Sequence, residues 1–213
     1  MRRRNQTVGI VLPLMLLSLA GCAGKVQYPS YYVLDVPVPP SSKVEKPVFA
    51  SIAVREFRAP SFLKEGPIVY RPTPEQIDFY DYHRWAEDPR RVVTRAMVQE
   101  IRARGLAESV ELFDGRGTPE CLITGTVDHL EEVDKGANVS IEVGLSARMI
   151  NVRTGELLWQ DTTTKTATLD KRSVAGVVSE MSQELGSAVN SLVSSIEDHR
   201  STVSLSLGSS NSE

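Results

Sequence analysis

Val139-Ser140-Ile141-Glu142-Val143-Gly144-Leu145-Ser146-Ala147-Arg148-Met149 decides the fold of this chain. Its apolar residues fall on every second position, the period of a strand with one face buried and the other wet. The flanks make it the middle of a meander. Cys121 to Glu131 reads as the strand before it, Arg153-Thr154-Gly155 as a turn, and Leu157 to Thr168 as the returning strand. Short connections of this kind join antiparallel neighbours.

Helices frame the meander. Asp88-Pro89 is a helix start, because the aspartate caps free N–H groups and proline suits the first helical position. Val92, Val93, Ala96, Met97 and Ile101 then share one face, and Arg104-Gly105 closes the helix. Ser173 opens a second helix, with Val174, Val177, Val178, Met181, Leu185, Ala188, Leu192 and Ile196 as its apolar stripe. Before the first helix, Tyr31 to Val36, Phe49 to Phe57, Ile68 to Arg71 and Gln76 to Trp85 read as strands, with a turn at Ala59 to Leu63. A further short stretch runs from Val110 to Phe113, and Gly115 to Pro119 is a loop. The serine-rich residues 201–213 are expected to be disordered. The expected fold is α+β, a single domain over residues 31–200, with an antiparallel or mixed β-sheet and both α-helices packed on one face.

The N-terminus carries an address. Arg2, Arg3 and Arg4 precede an apolar run from Val8 to Leu19, and Leu19-Ala20-Gly21 ends in small residues before Cys22. This is the layout of an export signal, and its ending resembles the lipobox of bacterial lipoproteins. Residues 1–21 are therefore expected to be a signal peptide and Cys22 the lipid-attachment residue, carrying a covalent diacylglycerol and an N-acyl chain, with residues 22–30 as tether. The apolar run is well short of the ~20 residues that span a bilayer, and several acyl chains suffice to anchor a protein. Eight residues, Ala23 to Ser30, separate Cys22 from the predicted first strand, at most about 25–30 Å of chain.

Composition excludes several classes. Of 24 basic and 27 acidic residues, three basic ones precede Cys22 and no acidic one does, so the remainder has a net charge of about −6. That argues against a nucleic-acid partner. With Cys22 alkylated, Cys121 has no intramolecular partner, and its apolar setting marks a structural thiol. No HExxH, phosphate loop, GxGxxG or GxSxG sequence is present. His129, Glu131 and Glu132 read as a solvated strand end rather than a metal site, and Asp78 and Asp81 alternate to opposite faces of one strand. No metal, cofactor or catalytic residue is expected. Tyr70, Phe79, Tyr80, Tyr82 and Trp85 crowd one segment of a chain that is 6% aromatic, and are the candidate partner-binding residues.

Taken in order, Tyr31-Tyr32-Val33-Leu34-Asp35, Ile52-Ala53-Val54, Pro60-Ser61-Phe62-Leu63, Ile68-Val69-Tyr70-Arg71 and Trp85-Ala86-Glu87-Asp88-Pro89, closed by the helix with Ala188 and Ile196, resemble the ABC-type transport auxiliary lipoprotein family. The likeness spans nearly the whole chain beyond Cys22, apart from the serine-rich tail. It implies a non-enzymatic subunit of an MCE-domain lipid transport system, with an MCE protein as partner and homo-oligomeric rings as an assembly form. Ala23, where an aspartate would retain such lipoproteins in the inner membrane, implies the inner leaflet of the outer membrane, facing the periplasm. The alternatives are a structural or assembly lipoprotein of a periplasmic envelope complex, a periplasmic hydrolase, and a lipid carrier with its own cavity.

Overall fold

The predicted meander is the spine of the structure, a computed structural model that describes residues 27–37, 40, 47–135 and 138–209. Along the chain run β1 (Ser30–Tyr32), β2 (Phe49–Val54), β3 (Pro67–Thr73), β4 (Gln76–Trp85), α1 (Pro89–Ala103), β5 (Ala107–Leu112), β6 (Cys121–Lys135), β7 (Asn138–Asn151), β8 (Leu157–Leu169) and α2 (Val174–Ser209). A 3₁₀ turn covers Ser61–Lys64. The predicted signal peptide, Cys22 and the tether as far as residue 26 lie outside the described residues.

The eight strands form one mixed sheet that forks. β6 pairs antiparallel with β7, and β7 with β8. On its other edge β6 takes two parallel partners in succession. Cys121 to Ile123 pair with β2, which carries β5. Glu132 and Val133 lie opposite Tyr70 and Arg71 of β3, which carries β4 and then β1. Between these branches the bridge Arg58–Thr126 touches the edge. The chain between β2 and β3 leaves the sheet, and Phe57 and Leu63 enter the core. In β2, flanked by parallel neighbours, Ile52, Ala53 and Val54 are all fully buried, as expected of a strand covered on both faces.

A bulge carries β6 beyond its predicted end. Val127 faces Leu145 and His129 faces Gly144, so Asp128 is the extra residue. Ile123 and Val127 face the helices before the bulge and Leu130 does so after it, and all three are fully buried. Without the bulge Leu130 would turn to the outer face.

α1 begins as its sequence requires. Asp88 accepts a hydrogen bond from the Arg90 backbone N–H at 3.0 Å, and the helix closes at Gly105, whose φ of 64° a β-carbon would disfavour. Burial raises the Asp88 carboxyl pKa, but the Arg90 hydrogen bonds outweigh it and leave it lowered. In α2, Ser173 caps Gly176 N–H at 3.1 Å. The predicted stripe is buried from Val177 to Ile196. Trp159 of β8 donates from Nε1 to Ser195 Oγ at 3.1 Å, and Arg104 of α1 pairs with Glu197 of α2 at 3.0 Å.

Three expectations are corrected. β1 ends at Tyr32 rather than Val36, because β4 has run out: Ala86 N–H bonds Tyr32 O at 2.8 Å. Leu34 is then buried and Asp35 N–H bonds Ser182 Oγ of α2 at 3.1 Å. The predicted second strand stops at Val54, since Phe57 turns inward. α2 runs on to Ser209, where a disordered tail was expected. No proline interrupts 201–209, and an established helix propagates at little cost. Residues 210–213 lie outside the described residues.

Two substitutions test this packing. A β-carbon at position 125 would sit 2.3 Å from a Phe57 ring carbon and 2.7 Å from the Ser146 carbonyl oxygen. Gly125→Ala is expected to lose about 1–3 kcal/mol by overpacking, read as a lower urea midpoint. Asp88→Ala is expected to cost about 1 kcal/mol through loss of the cap, with Asp88→Asn retaining most of it.

Candidate functional site

The five predicted partner-binding aromatics divide by burial. Trp85 is in the core at 6% exposure, a correction to its expected role, because β4 turns it into the hydrophobic cluster. Phe79 and Tyr80 are half-buried and pack against the core, and Tyr70 is half-buried. Tyr82 is the exposed one, at 42%. Tyr70 and Tyr80 pack at 5.0 Å between ring centroids, Tyr80 meets His83 edge-on at 5.7 Å, and His83 accepts or donates to Tyr32 OH at 2.9 Å. Tyr70 donates to Asp78 at 2.9 Å, while Asp81 is exposed. Most of the cluster therefore builds the end of the sheet.

Beneath it lie two carboxylates that were expected to be solvated. Glu131 and Glu132 are fully buried, because the bulge carries β6 on between β3 and β7. On the outer face, Arg71 grips Glu131 through Nε at 2.9 Å and Nη2 at 3.2 Å, and His129 Nδ1 lies 3.2 Å away. On the helix face, Tyr80 OH donates to Glu132 Oε2 at 2.6 Å. Arg172 Nη2, from the loop before α2, is 2.6 Å from Glu132 Oε1. That contact is an ion pair without hydrogen-bond alignment, so this oxygen has charge neutralisation but no hydrogen bond. Arg172 also reaches Asp134 at 3.1 Å and lies over the Tyr70 ring at 5.6 Å. Neither arginine's role was visible in the sequence. Read as a strand end, Glu131 and Glu132 carried no sign that they would need buried partners.

The electrostatics favour structure over reactivity. Burial, then the hydrogen bond to Glu132, raises the Tyr80 hydroxyl pKa to about 12. The hydrogen bond to Asp78 raises that of Tyr70. Burial, with Glu120 nearby, pushes the Cys121 thiol up to about 12, the opposite of an activated nucleophile. His129 and Glu131 are the nearest approach to a metal-binding pair, but Arg71 already neutralises that carboxylate. Among the described residues no group of three or more histidine, cysteine, aspartate or glutamate side chains is placed to hold a metal ion. A depression of about 600 Å³ lies between α1 and α2. In its lining Arg104 engages Glu100, Asn190 and Glu197. No helix among the described residues is long and apolar enough to cross a membrane.

Residues 32–193 match the family model described as the ABC-type transport auxiliary lipoprotein component. The chain belongs to this family. The match takes in the forked sheet, α1 and most of α2, so the family's defining region is the fold just described. Among solved structures, a protein from Xanthomonas campestris is 18% identical and superposes with a TM-score of 0.71 over 83% of this chain and 99% of its own. An uncharacterised protein, 15% identical, gives 0.63 over 80% and 99%. At these identities the likeness shows the fold alone. No curated protein matches the sequence.

The Tyr80–Glu132 contact has a pH signature. Unfolded, the Tyr80 phenol titrates near 10, and folded it holds its proton to about 12. The folded state then binds more protons across that window, so stability falls as pH rises from about 10 to 12. In Tyr80→Phe the fall is expected to be shallower, measured as urea midpoints at stepped pH. Equal slopes would show that Tyr80 is not held in this way.

Proposed function

We propose that this auxiliary lipoprotein is the membrane-anchored docking subunit of an MCE-type lipid transport system. It is anchored through lipid on Cys22 at the inner leaflet of the outer membrane, and receives the periplasmic MCE assembly without catalysis. The observation that carries the reading is the family match over residues 32–193. A family of auxiliary components of ABC-type transport acts through recognition, and the fold supplies a surface for it.

That surface is β8. It is a strand of 13 residues paired on one side, to β7. Gln160, Thr162, Thr164, Thr166 and Thr168 are exposed along it. Its charges are Asp161 and Lys165, and it contains no proline. An open edge with so few blunting features is a ready template for strand addition. Of the predicted aromatic patch, Trp85 has no surface to offer and Tyr82 has the most, so β8 is the stronger docking candidate.

The test is an affinity pull-down of the full-length lipidated chain from crosslinked cells, read by mass spectrometry. Enrichment of an MCE protein with its ABC permease and ATPase is expected. The double variant Thr164→Lys, Thr166→Lys should reduce that recovery several-fold while the protein stays folded and membrane-bound. Recovery of cell-wall or secretion components without any MCE protein would instead favour the assembly-lipoprotein alternative.

A further inference from the structure

Among the described residues, four of the six exposed large hydrophobic side chains lie along one short stretch and the strand beside it: Tyr28 (80% exposed), Tyr31 (64%), Val33 (59%) and Tyr82. The register explains the clustering. Ser30 lies beside His83 and Tyr31 beside Arg84 on the β1–β4 edge pair, so the register brings Tyr82 next to the chain just before Ser30. Exposure alternates along 31–34, with Tyr31 and Val33 outward while Tyr32 packs against the core and Leu34 is within it. The inward set completes the fold. The outward set has no structural task within it.

We propose that this patch docks on the lipid surface that holds the protein, seating the β1–β4 edge in the headgroup layer and fixing the orientation of the domain. The inference rests on the reading of Cys22 as lipidated. Tyr28 lies six residues beyond Cys22, about 20 Å of fully extended chain. A domain of this size is about 40 Å across, so the tether cannot let the opposite side of the body face the membrane. The side it does allow is the one bearing the tyrosines. Their chemistry fits the place: an apolar ring and a polar hydroxyl suit the water–lipid boundary. Arg84 supplies a cation on the same face for headgroup phosphate. Size decides against a second copy of the chain. The four side chains expose roughly 500 Å², short of the about 800 Å² per partner in a stable protein pair. Added to an anchor already in the bilayer, that area is sufficient to set orientation.

The test uses full-length lipidated protein in phosphatidylethanolamine–phosphatidylglycerol vesicles, with and without brominated acyl chains. Trp85 and Trp159 are both buried and supply the background emission. Tyr31→Trp and, independently, Val33→Trp are expected to lose at least twice as much of their added fluorescence to bromolipid as Leu112→Trp, an exposed site on β5. Equal loss at all three sites would overturn the docking. So would protection of the Tyr31→Trp indole from iodide that grows with protein concentration without bromolipid quenching, which would mean a second copy covers the patch. Vesicle flotation and the mass of the N-terminal peptide separate the two readings. Acylated protein that floats without selective quenching refutes the docking alone, whereas unacylated protein that fails to float refutes the anchor and the docking together.

Discussion

Along one edge, β6 gives Cys121 to Ile123 to β2 and, nine residues later, Glu132 and Val133 to β3. Two parallel partners cannot occupy the same edge of a twisted strand unless they diverge, and the fork in the sheet is that divergence. It has a polar consequence. The branch carrying β3, β4 and β1 closes over a stretch of β6 that contains Glu131 and Glu132, so both carboxylates are buried. Each would be costly without a partner, and each meets an arginine from another element: Arg71 in β3 and Arg172 before α2. The contacts join β3 and the start of α2 to the far half of β6. Tyr70, Tyr80 and His83 complete that end as a layer of touching rings.

The meander was legible because Val139 to Met149 alternates over a long run and each partner strand returns after a marked turn. Both helix starts were legible from chemistry confined to a few residues, Asp88-Pro89 and Ser173. The far end of the sheet was not. A bulge at Asp128 leaves no mark in composition, yet it turns Glu131 and Glu132 from a strand terminus into a strand interior. The aromatic segment illustrates the same limit. Alternation alone showed aromatics on both faces of β4, but which face is covered depends on β3, on β1 and on Arg172, 92 residues beyond Tyr80. The end of β1 was misjudged for a related reason: its side-chain alternation continues past Tyr32, while its hydrogen-bonding partner does not.

Several polar groups of this molecule are paired with one another. Arg71 is committed to Glu131, Arg104 to Glu100 and Glu197, and Tyr80 to Glu132. The thiol of Cys121 is buried in the core. Such pairings hold these side chains in fixed positions within the fold. At the surface, among charged side chains, lie a long hydroxyl-rich edge at β8 and a small aromatic patch at β1 and β4. Those are features for contact.

Their positions give the contacts a direction. The strand order along the longer branch is β1, β4, β3, β6, β7, β8, so the aromatic patch and the open edge sit at opposite margins of one sheet. Five interstrand steps separate them, about 24 Å at ~4.8 Å per step. In the arrangement we propose, with β1 held at the bilayer by its short tether, β8 would be the margin farthest from the membrane. A flexible anchor would sweep that edge through every orientation, and most encounters with a large assembly would find the wrong face. A second point of attachment beside the tether, as proposed, would remove that freedom before a partner arrives and lower the entropic cost of docking. In that proposed arrangement the sheet would act as a rigid spacer, with lipid at one margin and a protein partner at the other.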